Sequence, residues 1–594
     1  MIKERINALR ALMKRENIDI YVVPTSDYHN SEYVGVHFKC REFLSGFTGS
    51  NGTLVVTADG AYLWTDGRYF LQAAEELRGS DIELMKMLEE GVPTIPEFLS
   101  DHLASGSVLG FDGRVFSVGE GLEFEEVVKK TGSSIRFDVD LCAEVWTDRP
   151  ALSAEPVFVL ETKYAGREAS EKLADIRSEM AKKDCTHHIV TSLDDIAWIL
   201  NMRGADVDCN PVFLSYLLIG KEDAILFANP DIMTAAKAHL ESLNIRLLPY
   251  NDIYSYIDKL PSDAKVMIDK NRLNYALYST LSAHCETVIA TNPSTLMKSK
   301  KNETERENLR EANIIDGVAM VRFLRWLDEN IGKTRITEVS AAKKLEQFRS
   351  EGRGYKGLSF DTISGYNAHG AIIHYEPTEE TDIEVEPHGL LLVDSGAQYL
   401  SGTTDITRTI AVGPMTPEMK HHYTMVLRGH LNLAAAIFKE GCSGANLDIL
   451  ARAPFWDEYE DYNHGTGHGI GFFLNVHEGP QSFHWNSGRR STLTKLEEGM
   501  VITDEPGIYI EGKYGVRIEN DLLCVKDKKS EYGQFMRFET LTLCPIDLRP
   551  VNFEELTAKE LKTLKAYHEL VVEKLSPHLE AADKEWLLKA VKMD

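Results

Sequence analysis

Gly389-Leu-Leu-Leu-Val-Asp394-Ser-Gly-Ala-Gln-Tyr399 is an apolar run that ends in a carboxylate, the pattern of a strand buried on both faces. A little further on, Thr403-Thr-Asp405-Ile-Thr-Arg-Thr-Ile410 places a second carboxylate on a following strand. Two aspartates on neighbouring strands can converge. One buried aspartate is more often a hydrogen-bonded structural group, because an interior charge must be paired. The meaning of the pair therefore depends on what else the chain supplies.

Outward toward the C-terminus, His464-Gly-Thr-Gly-His468-Gly-Ile-Gly471 holds four glycines in eight residues, each costing a helix roughly 1 kcal/mol relative to alanine. The run is expected to be extended. Residues four apart on an extended chain face the same way, so His464 and His468 look into one cleft while the glycines permit close backbone approach. The spacing does not match GxGxxG and no strand-then-helix pattern surrounds it, which disfavours a dinucleotide loop. Met500-Val-Ile-Thr-Asp504-Glu505-Pro506-Gly507-Ile-Tyr509 is a further strand ending in acids. After a turn at Glu511-Gly512-Lys513, Gly515-Val-Arg517-Ile-Glu519-Asn-Asp521 returns as a strand, with Val516 and Ile518 on one face and Arg517 and Glu519 on the other. Asp394, Asp405, Glu505 and Glu519 with His468 thus form four carboxylates and one imidazole in a single domain. Without counter-charge such a cluster must take up protons, whereas two divalent cations neutralise it. Oxygen-rich ligation favours hard or borderline ions over a thiolate site.

Toward the N-terminus the pattern changes. Ile20 to Val23, Thr53 to Thr57 and Ala61 to Trp64 read as strands and Arg68 to Leu77 and Ile95 to Leu103 as helices, an α/β alternation. A second pass of similar shape follows: His188 to Thr191, Tyr216 to Ile219, Ala224 to Phe227 and Lys265 to Asp269 answer Ile20, Thr53, Ala61 and Ser107 to Asp112. Pro150 and Pro156 interrupt the pattern between the copies, and Asn292-Pro293-Ser294 marks a second join. Leu309, Ala312, Ile315, Ala319, Phe323 and Leu327 then recur three or four apart, the spacing of one buried helix face.

Composition excludes several function classes. Hydrophobic residues make up 43% and charged residues 26% of 594, an ordinary globular mixture long enough for several cores. A formal charge of -27 repels phosphate backbones and anionic lipid, so nucleic-acid and membrane partners are not expected. Eight scattered cysteines without a CxxC pair argue against a zinc ribbon or a disulfide framework. Met1 to Glu16 reads as an amphipathic helix without the apolar h-region of a signal peptide, and no apolar run approaches the ~20 residues needed to span a bilayer. A cytoplasmic location is expected.

The ordered set Asp394, Asp405, His468, Glu505, Glu519 resembles the metal ligands of the pita-bread metallopeptidases, the family of methionine aminopeptidase, prolidase and aminopeptidase P. Gly370-Ala-Ile-Ile-His374-Tyr375, the His464 to Gly471 run, Val476-His477-Glu478-Gly479-Pro480 and Thr65-Asp-Gly-Arg68-Tyr-Phe-Leu-Gln-Ala73 resemble aminopeptidase P, and the length resembles its long, cytosolic, three-domain form. The resemblance implies an α/β (α+β) chain: two similar creatinase-type domains, 1–152 and 153–297, and a pita-bread catalytic domain, 298–594. It implies terminal and bridging aspartates in Asp394 and Asp405, a histidine ligand in His468, and terminal and bridging glutamates in Glu505 and Glu519. It further implies hydrolysis of the N-terminal Xaa-Pro bond of peptides by a hydroxide held between two divalent cations, manganese before zinc or cobalt. Glu505 would then handle protons, His477 stabilise the tetrahedral oxyanion, and His374 and His464 line the substrate side. Tyr509 and Arg517 would support the terminal aspartate at the substrate site, Arg68 would contact substrate, and the protein would be a homodimer. Two other readings stay open: a prolidase-type Xaa-Pro dipeptidase sharing the metals, and a non-catalytic peptide- or histone-binding module on the same fold.

Overall fold

The computed structural model describes residues 1–486 and 490–593, which fall into two compact units. One comprises Met1–Glu161 with Arg167–Ser294; the other comprises Thr162–Gly166 with the chain from Thr295 onward.

The first unit holds two six-stranded sheets. Strands β1 (Ile20–Pro24), β2 (Thr53–Val56), β3 (Ala61–Thr65), β4 (Glu83–Lys86), β5 (Val108–Phe111) and β6 (Ser134–Arg136) lie in the order β4-β3-β2-β1-β5-β6. Strands β7 (His187–Val190), β8 (Ser215–Gly220), β9 (Ala224–Ala228), β10 (Ile245–Leu248), β11 (Lys265–Ile268) and β12 (Glu286–Ile289) lie in the order β10-β9-β8-β7-β11-β12. Position for position the order is the same, and so are the directions: the β1/β2 and β7/β8 pairs are antiparallel, the β1/β5 and β7/β11 pairs parallel. The duplication expected from the sequence is therefore real. Alternation explains the packing of the first sheet. Tyr21, Val23, Leu54, Val56 and Leu63 enter one core with Ile6, Leu9 and Met13 of the N-terminal helix. Ile20, Val22, Val55 and Trp64 enter another with Phe98, Leu99, Phe124 and Val127. Each such fully buried Leu or Phe contributes ~1.5–3 kcal/mol. The repeats also touch directly, where buried His29 meets the Thr191 carbonyl at 2.9 Å through Nδ1 and the Tyr250 hydroxyl at 2.6 Å through Nε2.

The second unit opens on the long helix Glu303–Asn330, started by a capping box of Asn302 and Glu305. Its Leu309, Ala312, Ala319, Phe323 and Leu327 are buried, the face read from the sequence; Ile315, also counted in that face, is only partly buried. Two sheets position the acids. In one, β13 (Ile363–Tyr366), β14 (Leu390–Ser395) and β15 (Ile406–Ala411) pair antiparallel. In the other, β16 (Val501–Asp504) pairs with β19 (Asn520–Ser530), and β17 (Gly507–Ile510) forms a separate hairpin with β18 (Tyr514–Arg517). Three runs are interrupted, the second of them where the sequence places the end of its strand. The Thr403 to Ile410 run leaves its sheet at Thr404 and Asp405, where the Asp405 N–H bonds the Asp521 carboxylate at 3.3 Å. The Met500 to Tyr509 run breaks at Glu505-Pro506, since proline has no N–H to continue a ladder. The Gly515 to Asp521 run breaks at Ile518 and Glu519, where the chain passes from the hairpin to β19. Each break falls on or beside an acid of the candidate site.

Candidate metal centre

Three of these breaks and one strand end bring the acids together. Asp394 lies near the end of β14 and pairs in register with Thr407 of β15, two residues beyond Asp405. Asp504 pairs with Asn520, which sets Glu505 and Glu519 at the same end of their sheet. His468 sits on a two-residue strand with Gly467, paired to Ser482–Phe483. A Cβ on Gly467 would stand 1.9 Å from the Thr503 carbonyl oxygen, so only glycine lets the histidine come this close to β16. Ligand atoms of Asp405, His468 and Glu519 all lie within 4.8 Å of one another. His468 Nε2 is 3.4 Å from Asp405 and 3.7 Å from Glu505, and His464 Nδ1 is 3.8 Å from Glu505. Both histidines therefore stand beside Glu505, although of the run expected to be extended only Gly467 and His468 form a strand.

The charges are crowded. Burial first, and then the neighbouring Asp394, pushes the Asp405 carboxyl well above the usual range; burial first, and then Asp405, does the same to Glu519. Burial raises Glu505 to about 7 against the pull of His468 and Arg517. Asp394 Oδ1 is buried without a hydrogen-bond partner, which ordinarily costs ~1–3 kcal/mol or more for a charged group. Acids that resist ionisation, an orphaned carboxylate oxygen and one imidazole make a donor set that fits hard divalent cations.

Behind the acids runs a chain of hydrogen bonds. Arg517 donates to Asp394 Oδ2 at 2.7 and 3.2 Å, to Thr407 Oγ1 at 3.2 Å, to the Ile373 carbonyl at 3.3 Å and to the Tyr509 hydroxyl at 2.7 Å. The Tyr509 hydroxyl, accepting from Arg517, is left to donate to His464 Nε2 at 2.8 Å. His464 Nδ1 is then the protonated nitrogen, donating to the Gly465 carbonyl at 2.8 Å. Arg517→Lys keeps the charge but cannot reach these partners from one planar fork. Its kcat/KM is expected to fall ~10–100-fold, as for other groups that orient ligands, in a protein that still folds. Steady-state rates equal to the parent's would remove the assignment.

The other expected residues fall as follows. His477 stacks edge-on against His468, ring centres 4.2 Å apart. His374 is half-buried, next to the Ile373 carbonyl that accepts from Arg517. Arg68 lies in the first unit, just ahead of the helix Phe70–Glu76, with two donors on Asp66 at 2.8 Å each.

Several supports went unread in the sequence. Thr407 donates to Glu519 at 2.6 Å, and Thr503 Oγ1 accepts from the His468 N–H at 3.0 Å. Both stand two residues from an acid on an alternating strand, a signal that was available. His430 and Arg408 had none. His430 Nδ1 donates to the Asp504 carbonyl at 3.1 Å and Nε2 accepts from Asn520 at 3.1 Å, while Arg408 donates to the Glu519 carbonyl at 2.7 Å. Glu478, beside His477, is buried between Lys298, at 3.2 Å, and Lys301. The lysines belong to a segment that reads only as a polar stretch.

Comparison with known proteins decides the family. The profile described as "Metallopeptidase family M24" matches residues 307–526, and its C-terminal region matches 534–593. The "Creatinase/Prolidase N-terminal domain" matches twice, at 5–138 and 148–305. Xaa-Pro aminopeptidase 1 of Dictyostelium discoideum is 39% identical over 100% of this chain and 96% of its own length. This chain belongs to metallopeptidase family M24, in its Xaa-Pro aminopeptidase branch. Aminopeptidase P2 of Arabidopsis thaliana is 38% identical to the M24 chain over 99% of it and 88% of the plant protein. Among solved structures, the X-prolyl aminopeptidase of Caenorhabditis elegans, described as a cytosolic enzyme with a di-nuclear active site, superposes with a TM-score of 0.95 at 35% identity and covers 100% of both chains. The Xaa-Pro dipeptidase of Bacillus anthracis reaches a TM-score of 0.52 at 26% identity, covering 64% of the M24 chain and 99% of its own. The chain is a metallo-exopeptidase with creatinase-type domains ahead of a pita-bread domain.

Proposed function

We propose that this enzyme binds two divalent cations, manganese first, among Asp394, Asp405, His468, Glu505 and Glu519, and releases the first residue of peptides whose second residue is proline. One observation supports this above others: ligand atoms of Asp405, His468 and Glu519 lie within 4.8 Å of one another, with Glu505 3.7 Å from the same imidazole, and burial beside other acids holds the Asp405 and Glu519 carboxyls well above their usual range, a charge conflict that cations would relieve. When bound, such a cation pair supplies Lewis acidity, polarising a carbonyl and bringing the pKa of water toward neutrality. The protein's own part is positioning and proton handling. Glu505, buried and within 4 Å of both His464 and His468, suits a group that takes a proton from the attacking water and passes it to the leaving nitrogen. That nitrogen is proline's tertiary amide and has no N–H, so recognition rests on shape and on the carbonyls to either side. His464, oriented by Tyr509, is assigned to the carbonyl after proline, His374 to the scissile bond and His477 to the developing oxyanion. Arg68 is assigned a substrate contact on resemblance alone.

We further propose the domain limits 1–152, 153–297 and 298–594, supported by the family matches, and a homodimer carried over from the long form of the family. No helix among the described residues is long and apolar enough to cross a membrane, and a cytosolic location is proposed from the description of the worm enzyme.

A dipeptidase reading is less favoured, since the Bacillus dipeptidase covers only 64% of the chain whereas the worm aminopeptidase covers all of it. An assay of Mn2+-loaded protein separates the two. Xaa-Pro-Yaa tripeptides are expected to be cleaved at the first bond and Xaa-Ala-Yaa controls left intact. Release of amino acid only from Xaa-Pro dipeptides would replace this reading with the prolidase one, and binding without any cleavage would favour the non-catalytic module.

A further inference from the structure

Glu338, the first residue of the helix Glu338–Ser350, is fully buried and takes no part in the ligand cluster. Its carboxylate gathers three donors from one short segment. The Tyr366 N–H donates to Oε1 at 2.7 Å and the Tyr375 hydroxyl to Oε2 at 2.9 Å. Between them in sequence, His369 Nδ1 reaches the two oxygens at 3.0 and 2.9 Å. The His369 and Tyr375 rings pack together, centres 4.4 Å apart. A single carboxylate thus ties residue 366 to residue 375, and the segment between them has little freedom left.

The same segment is pressed on the candidate site from its other side. A Cβ on Gly515 would lie 1.7 Å from the Gly370 carbonyl oxygen, so the backbones of residues 370 and 515 touch. Two residues beyond Gly515 is Arg517, whose guanidinium donates to the Ile373 carbonyl at 3.3 Å. The loop therefore lies between Glu338 and the arginine that holds Asp394, with His374 next to both Ile373 and Tyr375.

We propose that Glu338 is a positioning residue for the peptidase reaction, closing the 366–375 loop on itself so that His374 and the Ile373 carbonyl stay fixed against Arg517. This rests on the peptidase reading above. A carboxylate suits the role because its two oxygens accept from all three donors at once, up to about four lone-pair sites being available. A glutamine keeps an oxygen for the Tyr366 N–H and offers an N–H to the other side, whereas alanine leaves the buried Tyr366 N–H without its acceptor, frees the His369 ring and leaves the Tyr375 hydroxyl only its bonds to Thr381.

The test compares kcat and KM of the Mn2+-loaded full-length enzyme on one Xaa-Pro-Yaa tripeptide for Glu338→Ala, Glu338→Gln, Tyr375→Phe, His374→Ala and the Glu338→Ala/His374→Ala double variant. Glu338→Ala is expected to lose ~10–100-fold in kcat/KM, the range for groups that orient a site, and Glu338→Gln to recover most of that loss. In the His374→Ala background the further loss from Glu338→Ala is expected to shrink toward none, because both act through one loop. Losses that simply multiply, or a Glu338→Ala enzyme as fast as its parent, would overturn the proposal while cleavage by the parent keeps the peptidase reading intact. A parent that cleaves no proline peptide at all sinks the peptidase reading instead. If Glu338→Ala fails to fold, Tyr375→Phe, which removes one hydroxyl, decides by the same non-additivity with His374→Ala.

Discussion

Exhaustive chelation is expected to abolish cleavage of an Xaa-Pro-Yaa tripeptide by this chain, and added Mn2+ to restore it. The loss is complete because none of the five assigned side chains can itself supply the charge that the reaction needs on the scissile carbonyl. Chelation also changes how stability depends on pH. In the metal-free chain burial raises the pKa of Asp405, Glu505 and Glu519, Glu505 to about 7, above the ~4 of the unfolded chain. The folded form then binds more protons than the unfolded form between about pH 4 and 7. For a group raised in this sense the stabilisation is present below the unfolded pKa and is lost as pH climbs through the folded one. For Glu505 alone the loss is on the order of 3 kcal/mol. The thermal midpoint of the metal-free protein should therefore fall between pH 5 and pH 7.5. Mn2+ bound to the ionised folded form would add ~2.7 kcal/mol at a hundredfold excess over Kd, so the loaded protein should show a much flatter profile. Activity that survives chelation verified by metal analysis, or a metal-free midpoint that rises with pH, contradicts the assignment.

Much of this was legible beforehand because the signals are local. The apolar run before Asp394 and the alternation of Val516, Arg517, Ile518 and Glu519 report the period of a strand and which side chains share a face. Repeated spacing of strands in the first unit likewise exposes a duplication without needing identity between the copies. What escaped is the breaks. A strand continues or stops according to its partner, and the partner of Asp405 is Asp521, more than a hundred residues away. Long-range supports escaped for the same reason: nothing near His430 or Lys301 in sequence says that they serve Asp504 or Glu478. The opposite case is Arg68, chosen by resemblance, whose contacts in the structure include an ion pair with Asp66.

Glu505→Gln is expected to lower kcat by ~100–10,000-fold, the usual range for removing a general acid or base, in a protein that still folds. Glutamine matches the shape and keeps one oxygen toward the cleft, yet it cannot accept a proton at any pH in the working range. Glu505 sits where such a group has to be. It follows β16 directly, its N–H is held by the Thr466 carbonyl at 2.8 Å, and His464 and His468 both stand within 4 Å of its carboxylate. The raised value of about 7 arises mainly from burial; bound cations act against it, which would place the working value lower and let the ionised form accept the proton first. In the parent enzyme the acidic limb of the kcat profile is expected to report that ionisation. The variant should lose this limb along with the rate, and its metal content is expected to drop only as far as one missing carboxylate ligand requires. Rate and metal content together separate two outcomes. A variant refilled to two cations at high Mn2+ that stays slow places the defect in proton transfer, whereas full recovery of kcat on refilling would leave Glu505 as a ligand only.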